Sequence, residues 1–295
     1  MSGHNQDREE RIRKGFEKIL NSHGYGFQYR IIELVSQLRR QDDPLSAWLF
    51  EVAEFPVNIG AGTRIDFILK RSRRNDVEDK RPFYLLSECK RANPALSNWC
   101  FIRVPYTKLT GYANCLILEA ARLDETNRLT AAARVIPHTQ EQFYEIAIEV
   151  KSDEKGDPNG EGRGVIEKAS TQVLQGLNGM INFLKSHIYL MGEHRSAFFL
   201  PVIFTTAKLW VSNADLRSTD LLTGELDISQ SEFKSEPWVF YQYHQSPGLK
   251  HFASPEEQPQ KLGEIMESEY VRTIAIVNAE GIENFLIWSS HLDIA

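Results

Sequence analysis

Cysteine is scarce in this sequence. Its three residues, Cys89, Cys100 and Cys115, form no CxxC pair and show no Cys/His ligand spacing, which argues against a disulfide framework and a structural zinc site. Long hydrophobic runs are missing too: no stretch approaches the ~18 uninterrupted apolar residues of a membrane helix. The opening segment, MSGHNQDREERIRKGFEKIL, is charged where an export signal needs an apolar core, so the expectation is a cytoplasmic protein with no membrane partner. There is no GxSxG elbow, no Walker-type or GxGxxG loop and no internal repeat, which removes the motif-bearing serine-hydrolase and nucleotide-loop classes. No histidine has catalytic spacing; His138 follows a proline and His244 ends an aromatic stretch. What remains is a 295-residue chain, 42% hydrophobic and 25% charged, long enough for one large domain over 1–295 with a sizeable core.

Positive charge is in deficit overall but not everywhere. The formal net charge is -6, whereas residues 60–108 hold 11 Lys/Arg against 5 acids, the kind of excess that phosphate binding uses. Within it, 71–81 reads equally as a solvated hairpin loop.

Periodicity places the elements. Residues 27–40 set Phe27, Ile31, Leu34, Val35 and Leu38 on one helical face with Tyr29, Glu33, Ser36 and Arg40 opposite, which predicts an amphipathic helix. Residues 48–57 are ambiguous between helix end and strand. The runs 64–70 and 83–90 are short and β-rich, predicting a hairpin. Strands are expected at 98–104 and 143–151 with a helix over 110–134 between them, and 152–164 reads as a polar surface loop. Residues 166–185 form the clearest helix, with Ile166, Val173, Leu177, Met180, Ile181 and Leu184 on one face and Lys168, Gln172 and Gln175 on the other. A buried central strand at 197–206, its neighbour at 207–214, a strand at 238–244 and a strand running into a helix over 271–290 complete the reading. Helices and strands alternate throughout, so the class is α/β or α+β.

The stretch FYLLSECKRANP, 83–94, ends an apolar run in charge. On a strand Glu88 and Lys90 project from one face and Cys89 from the other. If the run RIDFIL lies alongside, Asp66 brings a second carboxylate to Glu88, an oxygen-rich pair of the kind Mg²⁺ prefers, with a lysine beside it. The same three residues also read as a plain cross-strand ion pair.

Ile65-Asp66, then Glu88-Cys89-Lys90 after 21 intervening residues, then a helix carrying Gln172 and Gln175, resembles the PD-(D/E)XK nuclease superfamily. The resemblance implies a restriction-endonuclease-like mixed central sheet flanked by helices, with a core over about 28–212, an insertion over about 95–164 and a C-terminal extension over 215–295. It implies Asp66, Glu88 and Lys90 as catalytic residues, and Mg²⁺, replaceable by Mn²⁺, held by Asp66, Glu88 and the Cys89 carbonyl, with Glu33 as the helical extra ligand. Arg64, Arg91 and Gln172 would meet nucleic acid, DNA before RNA, in restriction or anti-phage defence. A homodimer or an activating partner protein is compatible with such an enzyme.

Three alternatives stand beside it. Glu149-x-Lys151 in EIAIEVKSD repeats the motif on a strand where Glu145, Ala147, Glu149 and Lys151 share the face expected to be solvated. A silent nuclease fold serving as a binding or scaffolding module in a larger nucleic-acid complex keeps the architecture without the reaction. Different chemistry around Trp99 and Tyr106 keeps neither.

Overall fold

The computed structural model describes residues 3–22, 24–40, 47–57, 64–71, 81–92, 97–103, 115–137, 143–150, 164–191, 195–244 and 271–294. Two helices open it, α1 (Gly3–Ser22) and α2 (Tyr25–Arg40), followed by strands β1 (Trp48–Pro56), β2 (Arg64–Arg71) and β3 (Phe83–Lys90). Next come β4 (Asn98–Ile102), β5 (Cys115–Leu123), β6 (Leu129–Pro137), β7 (Phe143–Tyr144) and β8 (Ile146–Val150). Helix α3 (Gly164–Ser186) leads to β9 (Ser196–Thr205), β10 (Lys208–Ser212), β11 (Phe233–Glu236), β12 (Trp238–His244), β13 (Val271–Asn278) and α4 (Ile282–Ser290).

The architecture is mixed α/β, a large mixed sheet flanked by helices. Its path is β1-β2-β3-β9-β13-β12-β7, with the β5–β6 hairpin joined to the same sheet through β9. β1, β2 and β3 form an antiparallel meander, and β9 lies parallel between β3 and β13. The segment beyond residue 215 therefore supplies β12 and β13, two interior members of this sheet. A second sheet, β11-β10-β4-β8, takes two strands from between β3 and α3 and two from beyond β9.

Each face of the main sheet carries its own core. One gathers Ile68, Leu86 and Ile203 from the sheet with Val173, Leu177 and Ile181 from α3, and Trp99, Phe101 and Leu209 from the second sheet. The other gathers Phe67, Leu69, Leu85 and Phe204 with Ile31 and Val35 of α2 and Phe285 and Leu286 of α4. Fully burying each such side chain contributes about 1.5–3 kcal/mol, so the helices are held by these stripes more than by helical propensity.

The predicted faces of α2 and α3 are the buried ones: Ile31 and Val35, and Ile166, Val173, Leu177, Met180, Ile181 and Leu184, while Tyr29 and Glu33 are exposed. The ambiguous 48–57 segment is a strand, anchored by Trp48 Nε1 donating to the Leu286 carbonyl at 2.9 Å. Two expectations fail. Residues 115–134 are not helix but the β5–β6 hairpin, closed where Asp124 Oδ1 accepts from the Thr126 and Arg128 amides, with Asn127 at φ 58°. Residues 208–212 do not neighbour β9; β10 leaves the main sheet to pair parallel with β4. The 72–80 part of the charged loop, 152–163, His138 and Tyr106 lie outside the described residues, and Trp99 is a buried core residue of β4. No helix among the described residues is long and apolar enough to cross a membrane.

Candidate active site

β2 and β3 pair antiparallel from Lys70 opposite Tyr84 to Phe67 opposite Ser87, and Asp66 and Glu88 are the residues next beyond the last pair. Alternation along β3 does the rest. Leu86 packs in the α3-side core and Cys89 in the opposite one, so Glu88 and Lys90 rise toward α3. Lys90 Nζ lies 2.5 Å from Glu88 Oε1 and donates to Gln172 Oε1 at 2.9 Å. Gln172, on the polar side of α3 by its spacing, is thereby a partner of the lysine. Asp66 Oδ2 accepts the Cys89 amide at 2.7 Å, tying the end of β2 to the end of β3.

Two glycines let α3 come this close. A Cβ on Gly176 would stand 2.7 Å from Ile65 Cγ1, and one on Gly179 would stand 2.2 Å from Val57 Cβ. The helix rests there on Ile65 of β2 and on Val57 just after β1, and its N-terminal half reaches Lys90 through Gln172.

Burial and mutual charge set the electrostatics. Glu88 is 4% exposed, and desolvation, then the charge of Asp66, push its carboxyl up to about 7 against the pull of Lys90. Asp66 is raised as well, chiefly by burial, with the Cys89 amide and Lys90 opposing. Burial carries the Cys89 thiol well above its ordinary value, so it is not a nucleophile here; what it offers the site is backbone.

The helical Glu33 stands apart from the Asp66 and Glu88 pair. Glu33 is exposed on α2 and accepts from Gln37 one turn along at 2.8 Å, so it does not join Asp66 and Glu88. The acid whose charge raises both is Glu54 on β1. Its φ is 52°, a left-handed conformation that costs an L-residue with a side chain roughly 1–2 kcal/mol. Gln28 of α2 secures it, donating through Nε2 to Glu54 Oε1 at 2.9 Å and to the Asp66 carbonyl at 2.8 Å. Nothing in the residue spacing marks Glu54, because an acid on a strand flanked by Ala53 and Phe55 reads as a solvated position.

Of the residues expected to meet nucleic acid, Arg64 is exposed and pairs with Glu54 at 3.6 Å, and Arg91 is exposed beyond the end of β3. The local basic excess is partly structural: Arg71 is buried, donating to the carbonyls of Ser290 and Leu292. The rival motif has other work. Glu149 Oε1 accepts the Val165 and Ile166 amides at 2.6 and 3.0 Å, capping the N-terminus of α3, while Lys151 lies outside the described residues. That capping turns Ala147 and Glu149 inward and leaves Val150 exposed, the reverse of the expected orientation.

Among the described residues, no set of three His, Cys, Asp or Glu side chains is grouped to hold a metal ion. The pair Asp66 and Glu88 with a backbone carbonyl is an all-oxygen set, and the Glu88 carboxyl is raised to about 7 by burial first and by the Asp66 charge second, so a divalent cation binding there would displace a proton. That donor chemistry fits Mg²⁺. Compared with known proteins, the chain matches no protein-family model, no curated protein and no solved structure.

Proposed function

We propose that this protein is a Mg²⁺-dependent nuclease with a restriction-endonuclease-like core, hydrolysing phosphodiester bonds in DNA at Asp66, Glu88 and Lys90. The observation that carries the reading is the meeting of these three: Asp66 at the end of β2, tied to the Cys89 amide and near enough for its charge to raise Glu88, and Lys90 bridging Glu88 and Gln172. The order α2, β1–β3, α3, β9, with the two helices on opposite faces of the sheet, supports the αβββαβ core that the motif implies.

In such a site water oxygen bonds to phosphorus as the bond to one ester oxygen breaks, leaving a phosphate monoester and a hydroxyl. Asp66, Glu88 and the Cys89 carbonyl would hold the cation, which would supply charge neutralisation at the phosphate and a more acidic water. Lys90 has three donors, of which Glu88 and Gln172 take two. The third can serve a water or a phosphate oxygen, and the ammonium opposes the negative charge that builds on the phosphate. Arg64 and Arg91, both exposed, would meet the backbone of the substrate.

Cleavage of plasmid DNA, single-stranded DNA and RNA, with Mg²⁺, Mn²⁺ or EDTA, tests this. Metal-dependent cutting that disappears in Glu88→Ala and Lys90→Ala is expected. Cutting retained in both variants, or none by the wild type, would overturn the assignment, and metal binding without cutting would favour the silent binding module.

A further inference from the structure

A row of aromatic rings runs outward from beside the site. Phe55, which follows Glu54 on β1 and pairs with Ile65 of β2, sets its ring 5.1 Å from that of Phe183 on α3, edge to face. Phe183 stacks on His187 at 4.2 Å, and His187 meets Tyr189, on the turn after α3, at 5.9 Å. The two inner rings pack against the α3-side core, which accounts for them. Core packing does not account for the outer end, where Tyr189 is 75% exposed and Leu190 beside it 50%. His187 is fixed in place: its Nδ1 lies 2.8 Å from the Phe183 carbonyl, and since a carbonyl only accepts, that nitrogen carries the hydrogen.

Charge along the row suits a polyanion. Residues 168–192 contain no Asp or Glu, in a chain that has 40, while Lys168 and Lys185 are exposed on α3. The one acid of α3, Glu167, sits in its first turn and accepts the Tyr243 hydroxyl at 2.6 Å. At the inner end, Glu54 is held by Gln28 and Arg64, and Arg64 stands opposite Pro56, next to Phe55. Glu51, the other acid of β1, lies four residues back from Phe55. The row and the site also share one support. α3 carries Gln172, bonded to Lys90, and Phe183 about 16 Å further along its axis.

We propose that His187 and Tyr189 form a stacking subsite for an unpaired base, so that the strand cut beside Lys90 is held single-stranded several nucleotides from the scissile bond. The inference rests on the nuclease reading and names its substrate class. A base inside a duplex has both faces covered by its neighbours, whereas an unpaired base offers a face to a bare ring, and such stacking accepts any base. An acid-free helix side alone would suit duplex and single strand equally; the exposed ring at its end favours the single strand. With His187 already fixed, binding orders little on that side.

Fluorescence anisotropy of the full chain with labelled oligonucleotides, in EDTA, tests it. The probes are a DNA single strand, the same strand with abasic sites, and a blunt duplex. The wild type is expected to bind the single strand tightest. Tyr189→Ala, at an exposed position whose folding circular dichroism checks, should weaken single-strand binding on the order of 10-fold and leave the other two probes unchanged. Tyr189→Phe keeps the ring and should bind as the wild type does. Equal loss on single strand and duplex, no loss on the single strand, or no binding by the wild type overturns the subsite and leaves the bare ring to a protein partner. Cutting is scored separately with Mg²⁺. Ring-dependent single-strand binding without cutting sinks the nuclease reading alone, and cutting with binding indifferent to the ring sinks the subsite alone.

Discussion

Glu88 and Lys90 approach to 2.5 Å across one face of β3, yet the glutamate's carboxyl still titrates near 7, because burial and the Asp66 charge outweigh the lysine. Burial opposes the ion pair here, and a lysine alone does not offset the desolvation of two neighbouring carboxylates. The site is left short of positive charge, which is the electrostatic condition for taking up a cation.

The pH dependence follows in sign. A carboxyl raised by folding from 4.5 to about 7 adds stability that is complete below the unfolded value and is lost as pH rises through about 7. In EDTA the wild type should therefore lose melting temperature relative to Glu88→Gln between about pH 5 and pH 8. Mg²⁺ binds the ionised pair, so its stabilisation should grow across the same window. Differential scanning fluorimetry with and without Mg²⁺ reads this directly. An equal Mg²⁺ shift at both ends of the window would sink the metal assignment.

Glu54 should tune that titration without belonging to the motif. Its charge raises both Asp66 and Glu88, so Glu54→Gln, which can still accept from Gln28, moves the Glu88 midpoint toward acid. The check is the acid limb of the pH–rate profile, or carboxyl titration by NMR. A midpoint that moves toward base, or not at all, would show that Glu54 acts on backbone shape alone.

Glu149 separates the two sequence motifs. Its carboxylate caps α3, so Glu149→Ala should cost about 1–2 kcal/mol of stability, read by urea denaturation, while cutting per folded molecule stays within a few fold of wild type. Loss of cutting at full stability would move the catalytic site to the second motif.

How far the sequence reveals all this depends on where the determining information lies. The α2 and α3 faces and the β2–β3 pair were legible because their apolar residues repeat with the period of the element itself. The hairpin over 115–137 was not: Leu118, Ala120 and Ala121 suit a helix as well as a strand, and what decides is pairing with β9 some eighty residues away. The Asp124–Arg128 turn was the local signal overlooked. Asp66, Glu88 and Lys90 are legible as a motif, but Glu54 is not, because its place beside them depends on a left-handed backbone residue that no spacing encodes. Glu149 shows the converse, a motif-like pair whose glutamate meets a helix end instead.

Close approach of α3 makes its glycines testable. Gly179→Ala sets a methyl 2.2 Å from Val57 Cβ and 3.2 Å from its Cα, while at Gly176 the neighbour is the more yielding end of Ile65. Alanine gains roughly 1 kcal/mol of helical propensity at either site, against about 1–3 kcal/mol for overpacking. Gly179→Ala should therefore be net destabilising and lower cutting by displacing Gln172 from Lys90, and Gly176→Ala should be the milder of the two. Melting temperature and single-turnover cleavage, measured together, test that order.

The last prediction concerns a pair with no part in the site. Arg272 at the start of β13 meets Glu119 of β5, each 1% exposed, at the point where β9 changes partners from β5 to β13. Strands that part leave groups outside the ladder, and polar side chains fill in: Thr273 Oγ1 accepts the Ile117 amide at 3.0 Å nearby. Burial raises the Glu119 carboxyl, and Arg272 opposes. Removing one member strands the other charge, so Arg272→Met should cost about 3–5 kcal/mol, whereas the double variant Arg272→Met/Glu119→Leu should recover most of it. A double-mutant cycle in urea measures the coupling. If the double variant is as unstable as the single one, the pair is needed to specify the fork rather than merely to neutralise itself there.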